Sequence, residues 1–426
     1  MIKVLILLIC LFNLMSLYRE NKLVSSSSIW IVCFLLIFVV FPIYSNNVYN
    51  NGRQIDYLAL IGVLIFSLGR FFGHRFVFKY GAISSNNQNN YSIPDFKLSL
   101  FFFTIFLTVS IYFLLKYIGM DGILSIIRGS LTSKKLNLAV MSSSTFTFSM
   151  HLLVPCILSM WISSKNKKQK FISLIGLIIY TVETILFGFT RIFLITILAV
   201  VFFYEVRYIP KRKQLIIVSI ASAFLIILLI FMNFVRCLGL SNYSNFSSFL
   251  NIDYIFESTD FGASYRWFDE LLNYEPMYIN PIVYLKPFFA FVPRSLWLNK
   301  PEPLSLQVLK NINPYLASIG YSTAGNSVLG EGFSVFGYFG MFFNCFLWGI
   351  ICEKLDNRYQ YRLSRGQDSN CLNVFYYIFS IFIVMSGQRG DWSQYMTIVL
   401  WFYFLPMSIL SKVHTKINGR NKIYEK

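Results

Sequence analysis

The chain has 426 residues, 56% hydrophobic and 13% charged, about half the charged fraction of soluble domains, which argues against a water-soluble globular protein. Its formal net charge of +18 would suggest nucleic acid in a soluble chain, but in an apolar one the basic residues are first assigned to inner-face loops. The seven cysteines, Cys10, Cys33, Cys156, Cys237, Cys345, Cys352 and Cys371, show no paired or Cys/His spacing, and so imply neither zinc nor a disulfide framework.

Crossing a hydrocarbon core takes roughly 17 to 25 helical residues. Apolar runs of that length fall near 2–18, 23–44, 57–73, 97–119, 141–162, 171–188, 191–208, 214–235, 335–352, 371–387 and 395–411. The expected fold is therefore an all-α polytopic membrane protein with about eleven transmembrane helices. The first span is expected to be retained: Lys3 makes a weak signal n-region, no small-x-small site follows, and Tyr18-Arg19-Glu20-Asn21-Lys22 reads as an inner-face anchor. The stretch 171–209 would make about 58 Å of continuous helix, nearly twice what a bilayer accepts, so it must turn at Gly188-Phe189-Thr190-Arg191.

Lysine-rich 165–170, Lys211-Arg212-Lys213, the basic 353–365 loop and the tail with Lys412, Lys416, Arg420, Lys422 and Lys426 all fall on one face of this topology. The positive-inside rule makes that face cytoplasmic, with the N-terminus outside and the C-terminus inside. The expected organisation is helices one to eight over 1–235, one large extracytoplasmic loop over 236–334, helices nine to eleven over 335–411, and a basic cytoplasmic tail over 412–426. Within the loop, 282–298 is apolar but interrupted by Lys286, Pro287, Pro293 and Arg294, and is expected to be interfacial or re-entrant.

Once inner-face charge is accounted for, Arg191, Arg236, Arg266, Arg294 and Arg389 remain on or near the outer face. Topology gives no reason to keep them there, and guanidinium suits forked recognition of phosphate oxygens, so they point to an anionic outer-face ligand. Each has a plainer alternative: Arg191 paired with Glu183 inside the bundle, Arg389 paired with Asp391 in its turn, and Arg266 in surface pairs with Asp269 and Glu270. Ser258-Thr259-Asp260 is suited to capping a helix carrying Phe261, Phe268, Leu271 and Leu272. Pro293-Arg294-Ser295-Leu296-Trp297-Leu298-Asn299-Lys300-Pro301 sets two cations and a tryptophan between prolines, with an interfacial anchor as its alternative. Glu331, in Gly330-Glu331-Gly332 where the ninth helix enters from outside, is either an acid or base or a charge complementing the helix dipole. His151 lies mid-span and is expected to be a packing residue.

Three segments resemble the bacterial O-antigen and capsule repeat-unit polymerases of the Wzy type: Pro293-Arg294-Ser295-Leu296-Trp297 with Lys300-Pro301, then Asn326-Ser327-Val328-Leu329-Gly330-Glu331, then Phe336-Gly337-Tyr338-Phe339-Gly340. The turn 188–191 is similar to the Gly-x-Arg element often found there. The resemblance covers under a fifth of the chain. It implies a glycosyltransferase of the bacterial cytoplasmic membrane that polymerises undecaprenyl-pyrophosphate-linked oligosaccharides at the outer face, among membrane lipid, with a chain-length regulator and a flippase as partners and no nucleic acid. On that reading Arg191, Arg266, Arg294, Lys300 and Arg389 would bind the substrate pyrophosphate. A carboxylate, Glu331 first and Asp260 second, would accept the acceptor-hydroxyl proton. No cofactor or metal is called for, because no Asp-x-Asp or acidic cluster occurs. The alternatives are a flippase for the same lipid-linked repeats and an O-antigen ligase.

Overall fold

In the computed structural model, residues 1–44, 49–80, 93–127, 144–187, 260–290, 292–293, 295–318, 325–364 and 372–424 are described, with scattered positions between 198 and 231. The described residues are helical, without a strand. Six helices are long and apolar enough to cross a membrane: Ile2–Arg19, Ser26–Tyr44, Gly52–Arg75, Phe96–Tyr117, Ser327–Tyr361 and Trp392–Thr415. Two shorter apolar helices, Ser149–Ser163 and Val374–Gly387, lie where the fifth and tenth spans are expected. The expected spans 191–208 and 214–235 lie largely outside the described residues.

The chain divides into two compact units. The first comprises Met1–Gln88, Ile252–Gly366 and Phe379–Val399; the second, Asn89–Asn251, Gln367–Ile378 and Leu400–Lys426.

In the first unit, α1 (Ile2–Arg19) and α2 (Ser26–Tyr44) precede α3 (Gly52–Tyr80). Within α2 a π-helical turn, Leu36–Val40, ends two residues before Pro42. Proline has no N–H and crowds the carbonyl four residues back, and the wider turn accommodates it. The stretch Val399–Phe404 before Pro406 repeats the device. Glycines in α3 pack against the long helix of the unit: a methyl at Gly69 would lie 2.3 Å from the Phe346 carbonyl oxygen, and one at Gly349 2.3 Å from that of Phe66. Only glycine permits such approach, the small-residue contact that membrane helices use where lipid removes the hydrophobic drive.

That long helix, Ser327–Ser364, reverses direction near its start. Phe336 and Gly337 leave helical geometry, Gly337 with φ 64° and ψ −151°. Beyond the break, Gly340 backs onto Gly332, whose added methyl would meet the Gly340 carbonyl at 2.4 Å, and Asn344 Nδ2 donates to the Val328 carbonyl at 2.9 Å. Residue 332 therefore faces 340 and 328 faces 344, an antiparallel hairpin. We call the arm 327–335 α9a and the descending helix 338–364 α9b. Residue 328 thus sits about 9 Å along α9b from its start. The expected boundary between outer loop and ninth span, at 334/335, falls inside this hairpin. Hydropathy runs unbroken across Phe336-Gly337, so the pattern of apolar residues does not betray the turn.

Between these, α7 (Asp260–Leu271) buries Tyr265, Phe268 and Leu271. Tyr265 lies against Phe41 and Tyr49, and Phe268 against Phe38 at 6.2 Å. Expected interfacial 282–298 forms the short 3-10 helix Pro281–Leu285 followed by turns, with no length to cross a bilayer. α8 (Leu304–Ile312) follows. α10 is Leu372–Gly387, and α11 runs from Trp392–Ile398 through the π segment into Leu405–Tyr424.

In the second unit α4 (Phe96–Ile127), α5 (Ser144–Ser163) and α6 (Lys167–Phe187) pack together. Ser99 and Ser159 share a hydrogen bond at 2.8 Å, and a methyl on Gly176 would lie 3.2 Å from Phe103. Buried Glu183 accepts from Ser110 Oγ at 2.5 Å; its expected partner Arg191 lies outside the described residues.

Candidate functional site

Two ends of the first unit carry polar clusters of opposite character. At one end, Glu353 of α9b is 1% exposed and receives Lys22 Nζ at 2.6 Å and Arg70 Nε at 3.1 Å, with His74 Nδ1 at 3.4 Å. Arg70 also donates to Asn13 Oδ1 at 3.3 Å. One turn on, Asp356 accepts from the backbone N–H and hydroxyl of Ser26 (2.9 and 2.6 Å) and of Ser27 (3.1 and 2.6 Å). It thus satisfies the orphan amides that open α2. Every charge here has a partner in reach.

The other cluster lies where the start of α9a meets the turn between α10 and α11. The Ser327 N–H donates to the Arg389 carbonyl and the Val328 N–H to the Gln388 carbonyl, both at 3.1 Å. Three consecutive-contact residues take left-handed backbone: Ser327 (φ 64°), Gly390 (φ 89°) and Asp391 (φ 58°). For serine and aspartate that conformation is costly, and such strain gathers at functional sites.

Glu331 projects from α9a and is fully buried, with neither carboxylate oxygen hydrogen-bonded. The backbone amides of Asp391 and Trp392, at the start of α11, lie near it without reaching hydrogen-bonding geometry. Glu331 lies just beyond the first turn, which holds no acidic residue; Ser327 Oγ instead receives the Gly330 N–H at 3.2 Å. The dipole effect fades within that first turn, so complementing the helix start does not account for this acid.

Asp391 is held differently. Its Oδ2 accepts the Ser305 N–H at 3.2 Å and hydroxyl at 2.7 Å, and its Oδ1 the Ser393 hydroxyl at 2.9 Å. Because Pro303 offers no cap to α8, an aspartate 86 residues away supplies it. The expected alternative pairing of Arg389 with Asp391 does not form: Arg389 Nη1 donates to the Tyr395 hydroxyl at 3.1 Å, and its stem lies over Gly325. Tyr284 stacks on Trp392 with centroids 5.6 Å apart and planes 14° apart. Burial, then the Glu331 and Asp391 carboxyls, push the Tyr284 phenol well above its ordinary pKa.

Of the other expected site residues, Arg191 and Arg294 lie outside the described residues, and Asp260 opens α7 with its side chain outside them. Arg266 is exposed on α7 and makes no ion pair with Asp269 or Glu270; Asp269 Oδ1 instead receives the Asn51 N–H at 2.8 Å. Lys300 Nζ donates to the carbonyls of Ala290 (2.7 Å) and Val292 (2.9 Å), closing its own loop. Sequence reasoning brought forward Glu331 and Arg389, which the fold places in one cluster. It overlooked Asn326 and Gln388, each 1% exposed with both amide atoms unpartnered among the described residues. Amides carry no charge for topology to leave unexplained, and neither residue stood out on that ground.

Among the described residues no group of three or more His, Cys, Asp or Glu side chains is placed to hold a metal ion. No family model, curated protein or solved structure matches the chain.

Proposed function

We propose that the chain polymerises lipid-pyrophosphate-linked oligosaccharide repeats at the outer face of a bacterial cytoplasmic membrane, building O-antigen or capsular polysaccharide. One observation carries the reading: a fully buried, unpartnered carboxylate at Glu331 sits on a re-entrant helical arm beside the turn that bears Arg389. A carboxylate in that position suits proton acceptance from a sugar hydroxyl, and a guanidinium carried by the adjoining turn suits a pyrophosphate leaving group. The resemblance of 293–301, 326–331 and 336–340 to the Wzy-type polymerases supplies the reaction.

In that reaction the acceptor hydroxyl oxygen attacks the anomeric carbon of the donor. The new carbon–oxygen bond forms as the anomeric bond to pyrophosphate breaks, Glu331 takes the hydroxyl proton, and undecaprenyl pyrophosphate departs with the bonding pair. Arg389 steadies its growing negative charge, joined by Arg191, Arg266 and Arg294. Lys300, committed to two carbonyls, supports the loop that carries Arg294. Asp260 stands as the second candidate base. The reading includes eleven spans with the N-terminus outside. It sets the Glu331 cluster toward the outer face and the Glu353 cluster toward the inside, where the basic stretch expected as a loop over 353–365 continues α9b as helix to Ser364, consistent with α3 running parallel to α9b.

The test is the surface glycan of a deletion strain resolved on a gel. Single-repeat bands are the expected outcome. Loss of all attached glycan would indicate a ligase, and repeats trapped inside the cell a flippase; either result replaces the polymerase reading.

A further inference from the structure

Asn326 and Gln388 make a demand that the proton acceptor alone does not meet. Both are buried on the two strands of chain that zip together at the start of α9a, where Gly390 also abuts the Asn326 and Ser327 amides. In each, the carbonyl oxygen and the NH2 group both lack a partner among the described residues, as does the nearby Ser386 hydroxyl. Buried amides left with all their capacity open are rare, and each such group calls for water or a ligand. Glu331, equally bare, follows on α9a one residue after Gly330, on which a built methyl would lie 3.3 Å from Asn326 Cβ, and it lies near the Asp391 and Trp392 amides that follow Gln388 in the turn.

The donor set selects the ligand's chemistry. A cation would satisfy the carboxylate and the two amide oxygens but leave both NH2 groups orphaned. A hydroxyl both donates and accepts, and vicinal hydroxyls match a planar amide on both of its atoms. The half-buried Tyr284–Trp392 stack beside Glu331 adds a flat aromatic surface of the kind that the C–H face of a sugar ring covers.

We propose that Asn326, Gln388 and the Tyr284–Trp392 pair form a sugar-binding subsite beside Glu331, which holds one residue of the acceptor glycan through its hydroxyls. This rests on the polymerase reading for the identity of the glycan and extends it to the residues that position the acceptor. Glu331 then meets a hydroxyl whose neighbours are already fixed.

The test uses full-length protein in detergent and, as probe, the repeat-unit oligosaccharide released by mild acid from the producing cell's own surface glycan, free of pyrophosphate and lipid. Calorimetric titration should show binding to the wild type. Asn326→Leu and Gln388→Met should each weaken it at least about tenfold, because a site built around hydroxyls loses its partners. Both variants remove unsatisfied polar atoms, so the thermal midpoint without ligand should hold or rise; a fall would indicate that the amides support the fold and would overturn the proposal. A second readout needs neither variant: the oligosaccharide should quench tryptophan emission in the wild type and lose that quench in Trp392→Phe. Unchanged affinity in both amide variants, a quench that persists without Trp392, or no binding by the wild type overturns the subsite. A thermal shift with Na⁺ or Ca²⁺ and none with oligosaccharide overturns it in favour of a cation site. Full-length surface glycan in the deletion strain would defeat the polymerase reading instead, and the two failures are read on separate assays.

Discussion

Glu353 and Glu331 lie on the two arms of one helical hairpin, both buried, and their surroundings differ in every respect that matters for a carboxylate. Glu353 faces Lys22, Arg70 and His74, while Glu331 faces two backbone amides that stop short of it and no cation among the described residues. A buried charge is tolerated when paired, and a buried polar group is ordinarily hydrogen-bonded. The fold plainly has the means to satisfy an acid. That it does so at one end and leaves the other bare is the contrast on which the proposed roles rest, structure for Glu353 and chemistry for Glu331.

The comparison breaks most visibly at the paired end. Glu353→Ala takes the carboxylate from buried Arg70 and leaves Lys22 with Glu20 alone, and removing one member of a buried pair costs about 3 to 5 kcal/mol. Set against a typical total of about 5 to 15 kcal/mol, the expected outcome is a large loss of membrane-integrated protein and a much lower thermal midpoint, with activity falling in step with protein level. A variant that accumulates normally but is inactive would move Glu353 into the chemistry.

Glu331→Gln should behave in the opposite way. It keeps shape and removes an unpaired acid, so protein level and thermal midpoint should hold or improve. Polymerisation of lipid-linked repeats by the purified variant should drop by roughly 10² to 10⁴, the worth of a general base. Near wild-type turnover would leave Asp260 as the next candidate.

Arg389 sharpens the same contrast with a smaller effect. Losing one charge-assisted contact costs about 1.5 to 3 kcal/mol, or about ten- to a hundredfold in rate. Arg389→Lys should recover only part of this, since the forked geometry is lost. Full recovery by lysine would show that only the charge is used.

How much of this could be read in advance depends on distance along the chain. The α7 helix was legible because Ser258-Thr259-Asp260 and the spacing of Phe268 and Leu271 are local signals. Glu331 stood out as a lone acid between glycines in an apolar run. The partners of Asp356 were not legible: Ser26 and Ser27 sit in a serine run that hydropathy absorbs into a span, and the aspartate that needs them lies 330 and 329 residues away. Nor was the hairpin, since Phe336 and Gly337 interrupt no apolar pattern and only backbone geometry reverses the chain there. Arg389 was legible as a cation without a topological role, whereas its actual partner Tyr395 follows from the helical start of α11.

The smallest expected effect separates the two aspartates that play the same local part. Asp356 holds the start of α2 through Ser27, and Asp391 holds the start of α8 through Ser305, each with a serine N–H and hydroxyl on one oxygen. Ser27→Ala and Ser305→Ala each remove one hydroxyl and leave the amide bond, so each should cost about 1 kcal/mol of stability. If the clusters differ as Glu353 and Glu331 do, the kinetics will differ where the stabilities do not. Ser27→Ala sits at the paired end and should leave the turnover of folded enzyme unchanged. Ser305→Ala loosens the residue between Arg389 and the α11 amides that approach Glu331, so turnover per folded molecule should fall severalfold. Comparing kcat at matched folded fractions measures this directly. Equal turnover in the two variants would make Asp391 a cap and nothing else, and would confine the chemistry of the turn to Arg389.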